Sequence, residues 1–173
     1  YFMNAEDMIP ISIDEFIEGI SVPVDLYIRL GTDKFVMIQK KGQKTEKKQL
    51  GSYKSKEVSY LWVEKATYSK ISTQNITLAG IAISKESVNL NVKSNILGAA
   101  AASVFTALEH VGASQDIYNH AKQVTEVTMS LVENHSQLQK LLESFTQNID
   151  ELLSHSMAVS AVSVMMGKAM GWE

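Results

Sequence analysis

The sequence predicts an α+β protein: a small three-stranded α/β domain at the N-terminal end, followed by a mostly α-helical linker and bundle. Three observations predict it. Short stretches before residue 70 alternate apolar and polar side chains, the period of half-buried strands. Composition then shifts to Ala, Ser, Leu, Val and Met. Both prolines lie before the shift, so long helices are permitted after it. The elements of the first part run helix, strand, strand, helix, strand, an order suited to a small sheet covered by helices.

In "IPISIDEFIEG", Ser12 and Glu15 stand in capping-box spacing, followed by Phe16, Ile17 and Gly19. That predicts a short helix with its own start and stop signals. In "PVDLYIRLG", Val24, Leu26, Ile28 and Leu30 alternate with Asp25, Tyr27 and Arg29, giving a half-buried strand. Gly31 to Lys34 form a turn and "KFVMIQK" a second strand, so the two make a hairpin. "KTEKKQLGSYKS" is polar, with Leu50 and Tyr53 as its anchors, and reads as a short helix. "VSYLWVEK" is rich in β-branched and aromatic residues and reads as the third strand.

The later half is helical. "NILGAAAASVFTALEHVG" predicts a helix ending near Gly112, and Ser114 is an N-cap for the helix that follows. An apolar stripe runs from Leu131 through Leu138, Leu141, Leu142, Phe145, Ile149, Leu152 and Leu153 to Val159, Val162, Met166 and Met170. Such a face needs covering. Gly171 is a suitable C-cap. The expected division is a small α+β unit over 1–70, a helical linker region over 71–147 and a terminal helical segment over 148–173.

Composition removes several function classes. Of 173 residues, 45% are hydrophobic and 20% charged, a globular balance rather than a disordered one. The net charge of -3 gives no support to nucleic-acid binding. There is no cysteine, so disulfides, thiolate metal sites and cysteine nucleophiles are excluded. No run approaches the roughly 18–20 apolar residues that cross a bilayer, and no signal peptide is visible. The expectation is a cytoplasmic protein without a membrane or nucleic-acid partner.

Few residues offer chemistry. No Gly-x-Ser-x-Gly elbow, Walker loop or dinucleotide fingerprint occurs. The pairs Glu6–Asp7 and Asp14–Glu15 sit at helix starts, where carboxylates favour the macrodipole. Lys40, Lys41, Lys44, Lys47 and Lys48 surround Gly42. They could attract phosphate groups, but a solvated hairpin tip is the favoured reading, since no glycine-rich cradle accompanies them. His110, His120 and His135 have no partner at i+3 or i+4 and read as exposed or capping residues on helices. His155 differs, because Glu151 lies four residues before it on one helical face. A carboxylate and an imidazole there could share a metal with ligands from elsewhere. Two ligands alone do not make a site, and a Glu–His surface pair is the favoured reading of the spacing.

"LLSHSMAVSAVSVMMGKAMGW" resembles the opening helix of an HD-GYP domain, the bacterial branch of HD-superfamily phosphohydrolases that open cyclic-di-GMP. The resemblance rests on Leu152, Leu153, His155, Ser156 and Val159, then Gly167, Lys168, Ala169 and Gly171. The front half, with "DLYIRL", "KFVMI" and "YLWV", is similar to the small regulatory domain that often precedes such cores. The resemblance covers residues 10–70 and 145–172. His-Ser-x-x-Val also opens HDOD domains, the catalytically silent relatives.

The resemblance implies that His155 and Glu151 are metal ligands in a longer protein holding iron or manganese. The family's His-Asp pair and Gly-Tyr-Pro loop do not occur in these residues. The expected role is therefore the regulatory and dimerisation portion of a cyclic-di-GMP phosphodiesterase, without catalytic residues or cofactor of its own. It would pair as a homodimer through its helices, with cyclic-di-GMP a ligand of the full-length protein. The alternative is a non-catalytic signalling adaptor, HDOD-like or a stand-alone helical module. A third reading is a nucleotide-binding module using Lys40 to Lys48.

Overall fold

The computed structural model describes residues 4–17, 19–45, 52–53, 58–133, 138–145 and 151–172. The chain is α+β. Among the described residues, strands β1 (Met8–Ser12), β2 (Leu26–Gly31), β3 (Lys34–Gln39) and β4 (Tyr60–Glu64) form one antiparallel sheet. Its order is β1-β4-β2-β3. Among the described residues, five α-helices follow: α1 (Ser69–Ser84), α2 (Leu90–His110), α3 (Gln115–Glu133), α4 (Leu138–Phe145) and α5 (Glu151–Ala169).

The expected hairpin of β2 and β3 is present, with Ile28 opposite Val36 and Gly31 opposite Lys34. The sheet has four strands rather than three, because "MIPIS" is a strand and not part of a helix. Met8, Ile9 and Ile11 are all buried, so the segment lacks the alternation that marks a half-exposed strand. Pro10, which donates no backbone hydrogen bond, is accommodated because β1 is an edge strand. The expected helix after it shrinks to one 3-10 turn, Ile13–Glu15. Of the helix expected over 44–55, residues 46–51 and 54–55 lie outside the described residues.

Two faces of the sheet are covered unequally. Ile9 and Ile11 of β1, Leu26 of β2 and Leu61 and Val63 of β4 join Tyr68, Ile71, Ala107 and Ile117 in one buried cluster. On the other face, Met8, Tyr27 and Phe35 gather with the half-buried Trp62. A second helical cluster packs Ile76, Leu97, Leu131, Phe145, Met157 and Ala161. Val104 packs against both the sheet cluster and the helical one. The sheet's core thus draws on side chains from both sides of residue 70.

The Ala-rich run of α2 explains how tightly the helices meet. Gly98, Ala99, Ala100, Ala101, Ser103 and Ala107 are buried, and small side chains let helix axes approach closely. Asn89 caps α2 by accepting from the Val92 amide at 2.9 Å. The buried Lys93 ammonium donates to the Ile83 carbonyl at 3.1 Å, satisfying the last turn of α1. Ser114 caps α3 as expected, its hydroxyl accepting from the Ile117 amide at 3.3 Å. Helix α1 carries no distinctive periodicity, since Thr, Ser, Asn and Gly interrupt its apolar positions, and packing rather than pattern defines it.

Helix α5 is apolar on more than one side. Ser154, Met157 and Ala161 are buried, with Leu153, Val164 and Met165 packed against the helical cluster. Leu152, Val159, Met166 and Met170 lie exposed. The stripe read from sequence therefore splits between a covered and an uncovered face. Gly171 takes a positive φ of 73°. The Trp172 amide bonds to the Gly167 carbonyl at 2.9 Å and the Gly171 amide to Lys168 at 3.1 Å, a Schellman termination. Among the described residues, no helix is long and apolar enough to cross a membrane.

Candidate functional site

The pairing of β2 with β4 is short. It registers through Tyr27 and Trp62, and no further pair is registered between them toward Arg29 and Tyr60. A cleft with a volume of about 690 Å³ opens there. One wall is Ile28 and Arg29 of β2. Another is Val58, Ser59, Tyr60 and Trp62 in and before β4. Helix α2 closes it with Thr106, Glu109 and His110, while Pro10, Ser12 and Glu15 come from β1 and the turn after it. The size is ordinary for small-molecule sites.

Arg29 is fixed rather than free. Its Nε donates to the Gly31 carbonyl at 3.1 Å and one Nη to the Thr32 carbonyl at 2.9 Å. Its guanidinium lies 5.0 Å from the Trp62 ring centre and 5.8 Å from that of Phe35. Phe35 and Trp62 themselves meet edge to face at 5.5 Å. A cation over aromatic faces gains about 0.5–2 kcal/mol, so the side chain is held in place. Its remaining N–H groups have no acceptor among the described residues.

At the base of the cleft is a buried polar node. Glu15 is only 3% exposed. It accepts from the Tyr68 phenol at 2.8 Å, the Thr106 hydroxyl at 2.9 Å and the Ser12 amide. The amide contact is one half of the capping box expected from Ser12 and Glu15. Burial raises the Glu15 pKa above the ordinary carboxylate range, and the three donors only partly offset it. Tyr68 is raised as well, first by burial and then by the neighbouring Glu15 charge. The Asn75 amide donates to the Glu15 carbonyl at 3.1 Å, and the Ser72 hydroxyl to the Ser103 carbonyl at 3.2 Å. The node thereby ties the first turn to both α1 and α2. Glu15 is thus a buried hydrogen-bonding group, not a surface carboxylate serving a helix dipole.

The other candidates lie apart from this cleft. Glu151 and His155 are both exposed, one turn apart on α5, and no hydrogen bond or ion pair joins them. Among the described residues, no group of three His, Cys, Asp or Glu side chains gathers as a metal site. Two donors on one exposed turn do not amount to a binding set. His110 lines the cleft beside Glu109, 3.8 Å away, and His120 lies 3.2 Å from the Thr73 hydroxyl. His135 lies outside the described residues. So do Lys47 and Lys48.

Lys40, Lys41 and Lys44 are exposed. The turn that carries them spends its own amides internally. Lys40 donates to the Gln43 side chain at 2.8 Å, Lys41 to Asp25 at 2.7 Å and Gly42 to the Val22 carbonyl at 2.8 Å. Those donors are unavailable to a phosphate.

No protein-family model, curated protein or solved structure matches this chain.

Sequence reading did not single out Arg29, Trp62 or Tyr68. Arg29 is one polar position of an alternating strand, and Trp62 one aromatic among several. What sets them apart is the early end of the β2–β4 pairing, which is a tertiary property.

Proposed function

We propose that these residues are the regulatory and dimerisation portion of a bacterial HD-GYP cyclic-di-GMP phosphodiesterase, without a complete active site of their own. The observation that carries this reading is helix α5. The pattern "LLSHSMAVSAVSVMMGKAMG" folds as one uninterrupted helix, Glu151–Ala169, closed by Gly171, with Glu151 and His155 both exposed on it. On this reading, iron or manganese in the longer protein would take His155 and Glu151 together with ligands outside these residues. The small sheet would be the input module. The Glu15–Tyr68 node supports this, because it joins the turn after β1 to α2, which packs on α5.

Dimerisation is supported by the exposed Leu152, Val159, Met166 and Met170, which recur at spacings of seven and four. Such a stripe suits a second helix. The same stripe favours the alternative, a non-catalytic HDOD-like adaptor that docks a protein partner.

Sequencing the reading frame beyond Glu173 separates the two. His-Asp and Gly-Tyr-Pro segments downstream, with cyclic-di-GMP hydrolysis by the full-length protein that is lost in His155→Ala, are expected. A natural stop codon after Glu173 would sink the phosphodiesterase reading. So would hydrolysis by the 173-residue chain alone.

A further inference from the structure

We infer that the cleft between β2 and β4 binds a small aromatic carboxylate, held by Arg29 and by the aromatic surface of Tyr60 and Trp62. This inference stands on the cleft alone and not on the HD-GYP resemblance.

Charge comes first. Among the described residues, Arg29 is in no ion pair, although its guanidinium is braced by the Gly31 and Thr32 carbonyls and by two rings. A braced guanidinium with free N–H groups is prepared for a planar anion, which it meets in a two-pronged geometry. Because its rotamer is already fixed, little further ordering is needed on binding. The carboxyl at the base, Glu15, is engaged by three donors and shifted toward its neutral form by burial, so it opposes an anion less than a free carboxylate would.

Shape comes second. Tyr60 is 57% exposed and its phenol has no partner among the described residues, while Trp62 is half-buried. Pro10, Ile28 and Val58 complete an apolar lining on which a flat ring can lie. On the α2 wall, Glu109 and His110 offer polar atoms to a group at the far end of that ring. The volume of about 690 Å³ admits one or two fused rings and their substituents.

The test uses the full chain carrying Trp172→Phe, so that the Trp62 indole is the sole tryptophan reporter. The indole N–H resonance is followed by NMR during titration with 4-hydroxybenzoate and indole-3-acetate. Uncharged 4-hydroxybenzamide and the non-aromatic cyclohexanecarboxylate serve as controls. A saturable shift with a Kd on the order of 1 mM or tighter is expected for at least one aromatic acid. The amide and the non-aromatic acid should bind at least about tenfold more weakly. Arg29→Gln should weaken the aromatic acid by about tenfold or more, with Arg29→Lys in between. The proposal is overturned if neither aromatic acid shifts the Trp62 resonance saturably, if the amide binds as well as the acid, or if folded Arg29→Gln binds unchanged. Should Arg29→Gln fail to fold, the acid-against-amide comparison on the parent chain decides alone.

Discussion

The phenol oxygen of Tyr68 stands 2.8 Å from the Glu15 carboxylate and 2.9 Å from the Ser103 carbonyl. The one phenol proton is shared between these two acceptors, so Tyr68 ties the turn after β1 to α2. Burial raises the Glu15 carboxyl above its ordinary value, and the Tyr68, Thr106 and Ser12 donors offset this only in part.

A pH dependence follows. The unfolded carboxyl titrates near 4.5, and in the folded chain the value is raised. The folded state therefore holds its proton more tightly. The stability Glu15 contributes is full below the unfolded value and is lost as pH rises through the folded one. Glu15→Gln has no such proton, so the stability of the parent chain relative to this variant should fall as pH rises from 4 toward 8. Urea unfolding of both proteins across that range measures it. A difference that stays flat, or grows with pH, contradicts the shift.

Truncating the node tests how firmly it ties sheet to helices. Tyr68→Phe removes a donor from the buried Glu15, and Glu15→Ala orphans the Thr106 hydroxyl and the Ser12 amide. Each should cost about 1–3 kcal/mol. Glu15→Gln, which can both donate and accept, should cost less than either at neutral pH. Chemical denaturation ranks the three, and equal losses would argue against a hydrogen-bonded role.

The ends of α1 and α2 allow a comparison of magnitudes. Asn89→Ala removes an exposed cap and should cost about 1 kcal/mol. Lys93→Ala removes the buried donor to the Ile83 carbonyl and the packing of its stem, for about 1–3 kcal/mol. Thermal unfolding should place Lys93→Ala below Asn89→Ala.

Helix α5 should respond according to side. Ala161 is 0% exposed, so Ala161→Leu overpacks the helical cluster and should cost about 1–3 kcal/mol. Val159 is 50% exposed, and Val159→Asp should alter monomer stability by about 0.5 kcal/mol or less. If α5 pairs two copies, that same variant should shift sedimentation toward the monomer. Unchanged sedimentation of a dimeric parent would place the interface elsewhere.

The hairpin of β2 and β3, strand β4, the caps at Ser114 and Gly171 and the helical second half were legible because local rules decide them: alternation, β-branched content and αL glycine. Strand β1 was not legible, since burial of Met8, Ile9 and Ile11 erases alternation. Helix α1 was expected only as part of a helical region over 71–147, without bounds of its own, since Ser72 and Asn75 are buried through hydrogen bonds made by partners far along the chain. The cleft was invisible for the same reason. The partners of Glu15 lie 53 and 91 positions away, and no local pattern announces such pairings.

The sharing of Ile71, Ala107 and Ile117 with the sheet has a practical bearing on anyone dividing this molecule. A piece ending at residue 70 would leave Ile9, Ile11, Leu26, Leu61 and Val63 without the helices that shelter them. Expressed by itself, it should precipitate or melt without a cooperative transition, whereas a piece reaching past α3 should recover one.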